Sequence, residues 1–357
     1  MKVCIIGFGN IRYMPYLSMY LREMSLHDIS IFTWNRDGSK NIDIESKYTI
    51  TYYNCIIAND ENFLRKLPKF LGYRKALLSY LNKNSFDRLI VLHTPPAVLI
   101  FYKILREYSG KYILDYRDMT YEKYAIYQNI ISRLTVKSYK TFCSSPGFSK
   151  WLKYDFQNVH NLDANLIKIQ NKVQKKSEVQ PIVIRYWGQI RQLNINVQLI
   201  KVISNDKRFE LHFHGTQNTI SKRLIAYSNS IHATNVFFHG EYDSTERVVF
   251  ATNTDIIHNC YDIGKTEEYA MGNKYYDSAI FNVPQICNYK TYMGQIVEQD
   301  GLGISINPYE DNFLDKVINY YYSYDLNLFI NNCNAFIERC LRDQRLVENI
   351  LQAFLNV

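Results

Sequence analysis

The sequence contains no run of about 18 uncharged apolar residues, so no membrane-crossing helix is expected. It has no C-x-x-C pair. Its cysteines, Cys4, Cys55, Cys143, Cys260, Cys287, Cys333 and Cys340, are scattered, which argues against a structural zinc site and against a dithiol redox centre. Most of them lie in apolar runs and read as reduced core residues, as suits a cytoplasmic compartment. The chain enters a strand at once, Lys2-Val3-Cys4-Ile5-Ile6-Gly7, so no secretory leader is expected. No D-x-D metal motif occurs. The glycine turn Gly7-Phe8-Gly9 lacks the third glycine of a dinucleotide fingerprint, since position 12 is Arg12. No acidic residue closes the next strand, Asp28 to Thr33; Trp34 and Asn35 follow it. Both absences count against NAD.

What is present suits a two-domain α/β protein. The chain has 357 residues, 47% of them hydrophobic, which is enough for two cores of ordinary size. Strand, glycine turn and helix open the chain as in a doubly wound sheet. The polar stretch 173–181 ends in Pro181 and reads as a linker. Residues 1–172 form the first domain and 182–335 the second, with 336–357 as a terminal helix expected to pack back on the first. The formal charge of +8 favours an anionic partner. No recognisable nucleic-acid motif gathers that charge.

Several stretches carry candidate chemistry. In Gly272-Asn273-Lys274-Tyr275-Tyr276-Asp277, Lys274 and Asp277 are spaced i,i+3 at a predicted helix start. A cation with free N–H groups there suits a phosphate, and a carboxylate one turn on suits a diol. A helix packed on a sheet with a solvated Lys–Asp pair fits the same spacing. Gly188 follows the strand Ile182 to Trp187, with Arg191 three residues on, a pattern suited to a diphosphate. His93 ends the strand Phe86 to Leu92 and is either a ligand of the strand-end crevice or structural. The strand Lys111 to Tyr116 runs into Arg117, Asp118 and Glu122. Asp118 can take a proton from an attacking hydroxyl or merely orient it, or else Asp115 or Asp118 pairs Arg117 and braces the loop. His212 and His214 alternate on a strand, but no carboxylate pattern completes a metal site. In residues 65–81, Phe70, Tyr73, Leu77, Tyr80 and Leu81 share one helical face beside five cations, from a predicted start at Pro68. Such a helix suits an anionic membrane surface or a core with a solvated basic side.

Asn273-Lys274, Asp277 and Asn282-Val283-Pro284-Gln285-Ile286 resemble the P-x-K-x-x-E…G-x-P-V-I segment of bacterial GT-B glycosyltransferases, in particular the family-4-like enzymes of capsule and O-antigen synthesis. Asp115-x-Arg117-Asp118-x-x-x-Glu122 is similar to a second segment of the same family, and Asn235 to Tyr242 to a third. The resemblance implies two Rossmann-like domains facing across a cleft. It implies sugar transfer from a nucleotide-diphosphate sugar to a hydroxyl of a saccharide acceptor, lipid-linked through a polyprenyl carrier in that family, with neither cofactor nor metal. Gly188, Arg191, Gly240, Glu241, Tyr242, Asn273, Lys274 and Asp277 would hold the donor. Gly7, Gly9, His93, Arg117 and Glu122 would meet the acceptor, with Asp118 as catalytic base. The location implied is cytoplasmic, peripheral at the inner face of the membrane. The family's first Glu, eight residues before the second, is Tyr269 here, which leaves inversion and retention both open. A sugar-nucleotide epimerase or hydrolase of the same shape, or a non-catalytic partner subunit, would share much of this pattern.

Overall fold

The structure, a computed structural model, describes residues 1–356 apart from 15, 39–43, 45, 58–62, 152–154, 164–165, 168–179 and 265. It forms two compact units, Met1–His160 with Arg342–Val357, and Asn161–Leu341. The predicted linker 173–181 lies outside the described residues except for its last two positions, and the division between units falls at His160/Asn161 and Leu341/Arg342.

Unit 1 comprises β1 (Lys2–Ile6), α1 (Leu17–Glu23), β2 (Asp28–Asn35), β3 (Thr49–Asn54), α2 (Phe63–Lys83), β4 (Arg88–Leu92), α3 (Thr94–Leu99), α4 (Phe101–Glu107), β5 (Tyr112–Tyr116), α5 (Ala125–Lys137), β6 (Lys140–Cys143), α6 (Pro146–Trp151) and β7 (Gln157–Asn158). The strands are parallel, in the order β3-β2-β1-β4-β5-β6-β7. Every residue of β4 and β5 is buried, as expected for strands covered on both faces. The order reverses between β1 and β4, so their C-terminal ends form this sheet's ligand crevice.

Unit 2 repeats the plan with β8 (Ile182–Trp187), α7 (Leu193–Ile203), β9 (Phe209–His214), α8 (Thr219–Ser230), β10 (Val236–Gly240), α9 (Arg247–Thr252), β11 (Ile256–His258), α10 (Asn273–Phe281), β12 (Gln285–Asn288), α11 (Tyr292–Ile296), β13 (Gly303–Ile306) and α12 (Phe313–Ser323). Its parallel order is β10-β9-β8-β11-β12-β13, and the reversal lies between β8 and β11. The last helix, α13 (Leu326–Asn356), serves both cores. Phe329, Cys333, Phe336 and Cys340 pack into unit 2, and Val347, Leu351, Phe354 and Leu355 into unit 1. The expected α/β architecture of two Rossmann-like domains is therefore the one observed.

One helix start differs from expectation. Helix α2 begins at Phe63, not at Pro68, which lies inside it. The missing Pro68 N–H leaves the Leu64 carbonyl without its helical donor, but both residues are exposed and water can serve that carbonyl. Phe70, Tyr73, Leu77 and Leu81 of the predicted stripe are buried in unit 1, and Tyr80 is half-buried against Phe32 and Phe86.

Candidate functional site

In unit 2 the reversal point brings the loop after β8 beside the start of α10. Gly188 has φ 117, a conformation open to glycine at little cost. Arg191, three residues on, is exposed, and its Nε and Nη2 donate to Gln189 Oε1 at 3.1 and 2.6 Å. Opposite stands Lys274, the second residue of α10. The helix is entered through Gly272, where any Cβ would lie 2.3 Å from the Tyr261 hydroxyl. Asn273 is exposed at the first helical position.

Lys274 is 6% exposed, yet among the described residues no acceptor or carboxylate bonds its ammonium. The Nζ lies 4.0 Å from the Tyr186 ring centroid and 5.7 Å from that of Tyr261. Burial drives its pKa down to about 8; Asp277 opposes that shift and Arg191 adds to it. The result is an aromatic-walled cation at a helix N-terminus, with a second cation close enough to affect its titration.

Asp277, expected at a sugar or ribose hydroxyl, lies beneath this surface, 3% exposed. Trp187 Nε1–H donates to its Oδ2 at 2.7 Å and Arg247 Nη1 to its Oδ1 at 3.2 Å. Arg247 Nη2 in turn donates to Asp163 Oδ2 at 3.2 Å. Burial raises the Asp277 pKa despite Arg247, the indole N–H and Lys274. The carboxylate therefore ties the end of β8 to α10 and α9. Trp187, Arg247, Tyr186 and Tyr261 complete the site, and no local motif marks them. Gly240 closes β10 with φ 83, and its carbonyl accepts from Gly215 N–H at 2.7 Å. Glu241 is exposed, while Tyr242 is half-buried edge-on to Phe250. Burial pushes the Tyr242 hydroxyl up to about 12, with Arg247 opposing.

Unit 1 brings a different set to its reversal point. His93 ends β4 with φ 72; its Nε2 is 2.6 Å from the Tyr16 hydroxyl and its Nδ1 3.8 Å from Asp118 Oδ2. Burial lowers the His93 pKa, against the pull of Asp118 and Asp115. The Asp118 side chain is 66% exposed, which leaves it open to a substrate hydroxyl. Arg117 is turned inward: it donates to Asp115 at 2.8 Å and stacks 3.9 Å over the Tyr16 ring. Asp115 also accepts from the Tyr20 hydroxyl at 2.7 Å.

Glu122 is fully buried and accepts from the Tyr116 hydroxyl at 2.5 Å, from Thr94 Oγ1 at 3.4 Å and from the Thr120 N–H. Burial raises its pKa. Its oxygens brace the 117–121 loop. Gly7 is a packing glycine. Its N–H donates to the Phe32 carbonyl at 2.8 Å, its carbonyl accepts from Tyr73 at 2.6 Å, and a Cβ would meet Thr33 Oγ1 at 2.5 Å. The Gly9 carbonyl accepts from Thr33 Oγ1 at 2.6 Å. Of the six residues expected around an acceptor, His93 and Asp118 thus lie together at the crevice, whereas Arg117 turns its Nε onto Asp115, and Glu122 and Gly7 spend their polar groups internally.

His212 and His214 do not form a chelate. With His239 they make a stack, His212 to His239 at 5.2 Å and His214 to His239 at 4.2 Å between ring centroids. Burial lowers the His212 pKa to about 4 and that of His214 to about 3. Among the described residues no group of three or more His, Cys, Asp or Glu side chains is placed to hold a metal ion.

No protein-family model matches this chain, and no curated protein matches it in sequence. Solved structures do. Sucrose-phosphate synthase from Thermosynechococcus elongatus is similar at TM-score 0.69 and 12% identity, over 99% of this chain and 94% of that one. The lipopolysaccharide outer core galactosyltransferase WaaB is similar at 0.68 and 14% identity, over 99% of each chain. Anabaena HepE, solved with UDP and glucose, is similar at 0.67 and 10% identity, over 97% of this chain and 98% of that one. The UDP-GlcNAc 2-epimerase of Neisseria meningitidis is similar at a lower TM-score, 0.54, with 13% identity over 96% of this chain and 99% of that one. These likenesses establish the fold: two Rossmann-like domains of the GT-B type, shared with glycosyltransferases.

Proposed function

We propose that the protein is a nucleotide-sugar-dependent glycosyltransferase. The observation that carries this reading is Lys274, a buried ammonium at a helix N-terminus with no protein acceptor, beside Arg191. Burying a cation without a partner is unfavourable, so its retention fits a ligand that supplies the missing charge. The α10 N-terminus adds partial positive charge at the same place. The two cations and the helix end would grip the donor diphosphate and stabilise it as the anomeric C–O bond breaks, the point where negative charge develops. In this assignment Asp118, whose Oδ2 lies 3.8 Å from His93 Nδ1, takes the proton of the acceptor hydroxyl. The acceptor is a saccharide, lipid-linked in bacterial surface polysaccharide synthesis, which is the family the sequence resembles. A peripheral position at the inner membrane face belongs to the same reading.

The test is a thermal-shift screen of UDP-, GDP-, CMP- and dTDP-sugars on the wild type, Lys274→Ala and Arg191→Ala. A charge-assisted hydrogen bond contributes roughly 1.5–3 kcal/mol, so each variant should weaken the preferred donor about ten- to hundredfold. Equal stabilisation of wild type and Lys274→Ala by the same donor defeats the assignment. Since Lys274 and Arg191 carry the leaving-group charge in this reading, EDTA should leave turnover unchanged.

The likeness to a UDP-GlcNAc 2-epimerase favours a second reading, in which the same donor site works without an acceptor. Donor incubated alone separates the two. An epimerised or hydrolysed sugar appearing at the full rate supports the second reading, and product that forms only with a saccharide supports the first.

A further inference from the structure

Arg36 follows β2, beside the glycine turn that ends β1. Its backbone is pinned: the N–H donates to Asn10 Oδ1 at 2.9 Å, and the carbonyl accepts from Ile57 at 3.1 Å. Its guanidinium lies over two aromatic faces, 5.4 Å from the Trp34 centroid and 5.9 Å from that of Phe8. The Nε is sealed from solvent and has no hydrogen-bond partner, and among the described residues no carboxylate pairs the side chain. The neighbouring carboxylate, Asp37, is turned away: it accepts from Arg12 and from Asn10, each at 2.6 Å. The titratable groups that sense Arg36 are Tyr121 and His93. Burial lowers the Arg36 pKa, but a guanidinium remains charged at neutral pH.

Among the described residues, a Cβ on Gly9 would have only the Arg36 Cδ within 4 Å, at 3.9 Å, and the Gly9 N–H donates to no acceptor, so those residues leave room beside the guanidinium.

Stacking on aromatic faces is favourable, but it cannot satisfy an in-plane N–H. A buried donor left unmade is costly, and the natural complement of this planar fork is a planar or tetrahedral oxyanion. We propose that Arg36 is the oxyanion-binding residue of unit 1, and that the molecule held there carries a phosphate or a carboxylate. Under the glycosyltransferase reading, on which this last step rests, the acceptor is an anionic saccharide or one linked to a lipid phosphate.

A Lys274→Ala, Arg191→Ala background removes both cations of the unit 2 site, so unit 1 can be read alone. In that protein the arginine Nε–H resonances are recorded by 15N NMR, with the Arg36 signal assigned by its loss in Arg36→Lys. Inorganic phosphate, glucose 6-phosphate, glucuronate and glucose are added at matched ionic strength, and then phosphatidylcholine vesicles with and without phosphatidylglycerol. The Arg36 signal should move with at least one oxyanion probe and not with glucose or neutral vesicles. Calorimetry should show that probe bound at least tenfold more weakly by Arg36→Gln. A response to the soluble phosphates places the oxyanion on a phosphorylated sugar, one to glucuronate on an acid sugar, and one to the anionic vesicles alone on a lipid. No movement with any probe, or equal binding by Arg36→Gln, overturns the proposal. Intact oxyanion binding in a protein whose Lys274 form binds no nucleotide-sugar overturns the glycosyltransferase reading and leaves Arg36 standing.

Discussion

At the scale of single residues, Lys274 makes the sharpest demand. Its folded pKa of about 8 lies below the ordinary 10.5, because burial opposes the charged form. Between those values the unfolded chain holds a proton that the folded chain does not. Stability of the empty protein therefore rises with pH through that window, and below it the cost of burying the charge is present in full. Donor binding runs the other way, since a diphosphate is gripped by the protonated form. Affinity should be flat to about pH 8 and then fall by roughly tenfold per pH unit, while Lys274→Arg, which does not titrate there, should show no such fall. Calorimetry at pH 7, 8 and 9 decides; identical slopes in the two proteins would remove Lys274 from the site. Lys274 and Arg191 were legible in the sequence because a cation at a helix start and an arginine past a strand-end glycine are local patterns. The state of Asp277 was not legible: its partners Trp187 and Arg247 lie 90 and 30 positions away and no local spacing points to them. The same holds for Glu122, whose acceptor capacity is used by Tyr116, Thr94 and the Thr120 N–H.

At the scale of elements, α2 shows where periodicity stops informing. Apolar residues at helical spacing beside cations describe a bilayer-facing helix and a core helix equally well, and here Phe70, Tyr73, Leu77 and Leu81 are spent on the core. What α2 leaves outside is Leu64, Leu67 and Leu71, 77%, 40% and 54% exposed, with Arg65, Arg74 and Lys75 exposed among them. A membrane contact by α2 would therefore rest mainly on charge, worth about 1 kcal/mol per cation near an anionic surface. The triple reversal Lys69→Glu, Arg74→Glu, Lys75→Glu should abolish co-sedimentation with anionic liposomes, and wild-type binding should weaken steeply with salt. Unchanged sedimentation of the triple variant removes the membrane from the account of this helix. The strands were easier to read than α2 because their buried runs, such as Val3 to Ile6 and Ile182 to Trp187, have only one plausible setting: the interior of a parallel sheet.

At the scale of the whole molecule, the chain ends by returning to its first unit through α13. The sequence reading places this terminal helix at 336–357, whereas the part that belongs to unit 1 begins at Arg342, because one uninterrupted helix gives no local sign of where it passes from one core to another. The passage falls between Cys340, which packs in unit 2, and Val347, which packs in unit 1. Val347, Leu351, Phe354 and Leu355 are each no more than 4% exposed. Burying each contributes about 1.5–3 kcal/mol, so together they supply roughly 6–12 kcal/mol, which is comparable to the whole stability of a typical domain. The main-chain carbonyl of Phe354 also accepts from the buried Arg88 Nε at 3.1 Å. A chain ending at Leu341 should thus lose unit 1 while keeping the residues of unit 2, including Lys274, Arg191 and the Trp187–Asp277–Arg247 link. Hydrogen exchange should show unit 1 amides unprotected and β8, β11 and α10 still protected. Nucleotide-sugar binding should survive, and transfer should vanish because Asp118 and His93 belong to the lost unit. If transfer persists in the shortened chain, the assignment of the proton acceptor to unit 1 is wrong.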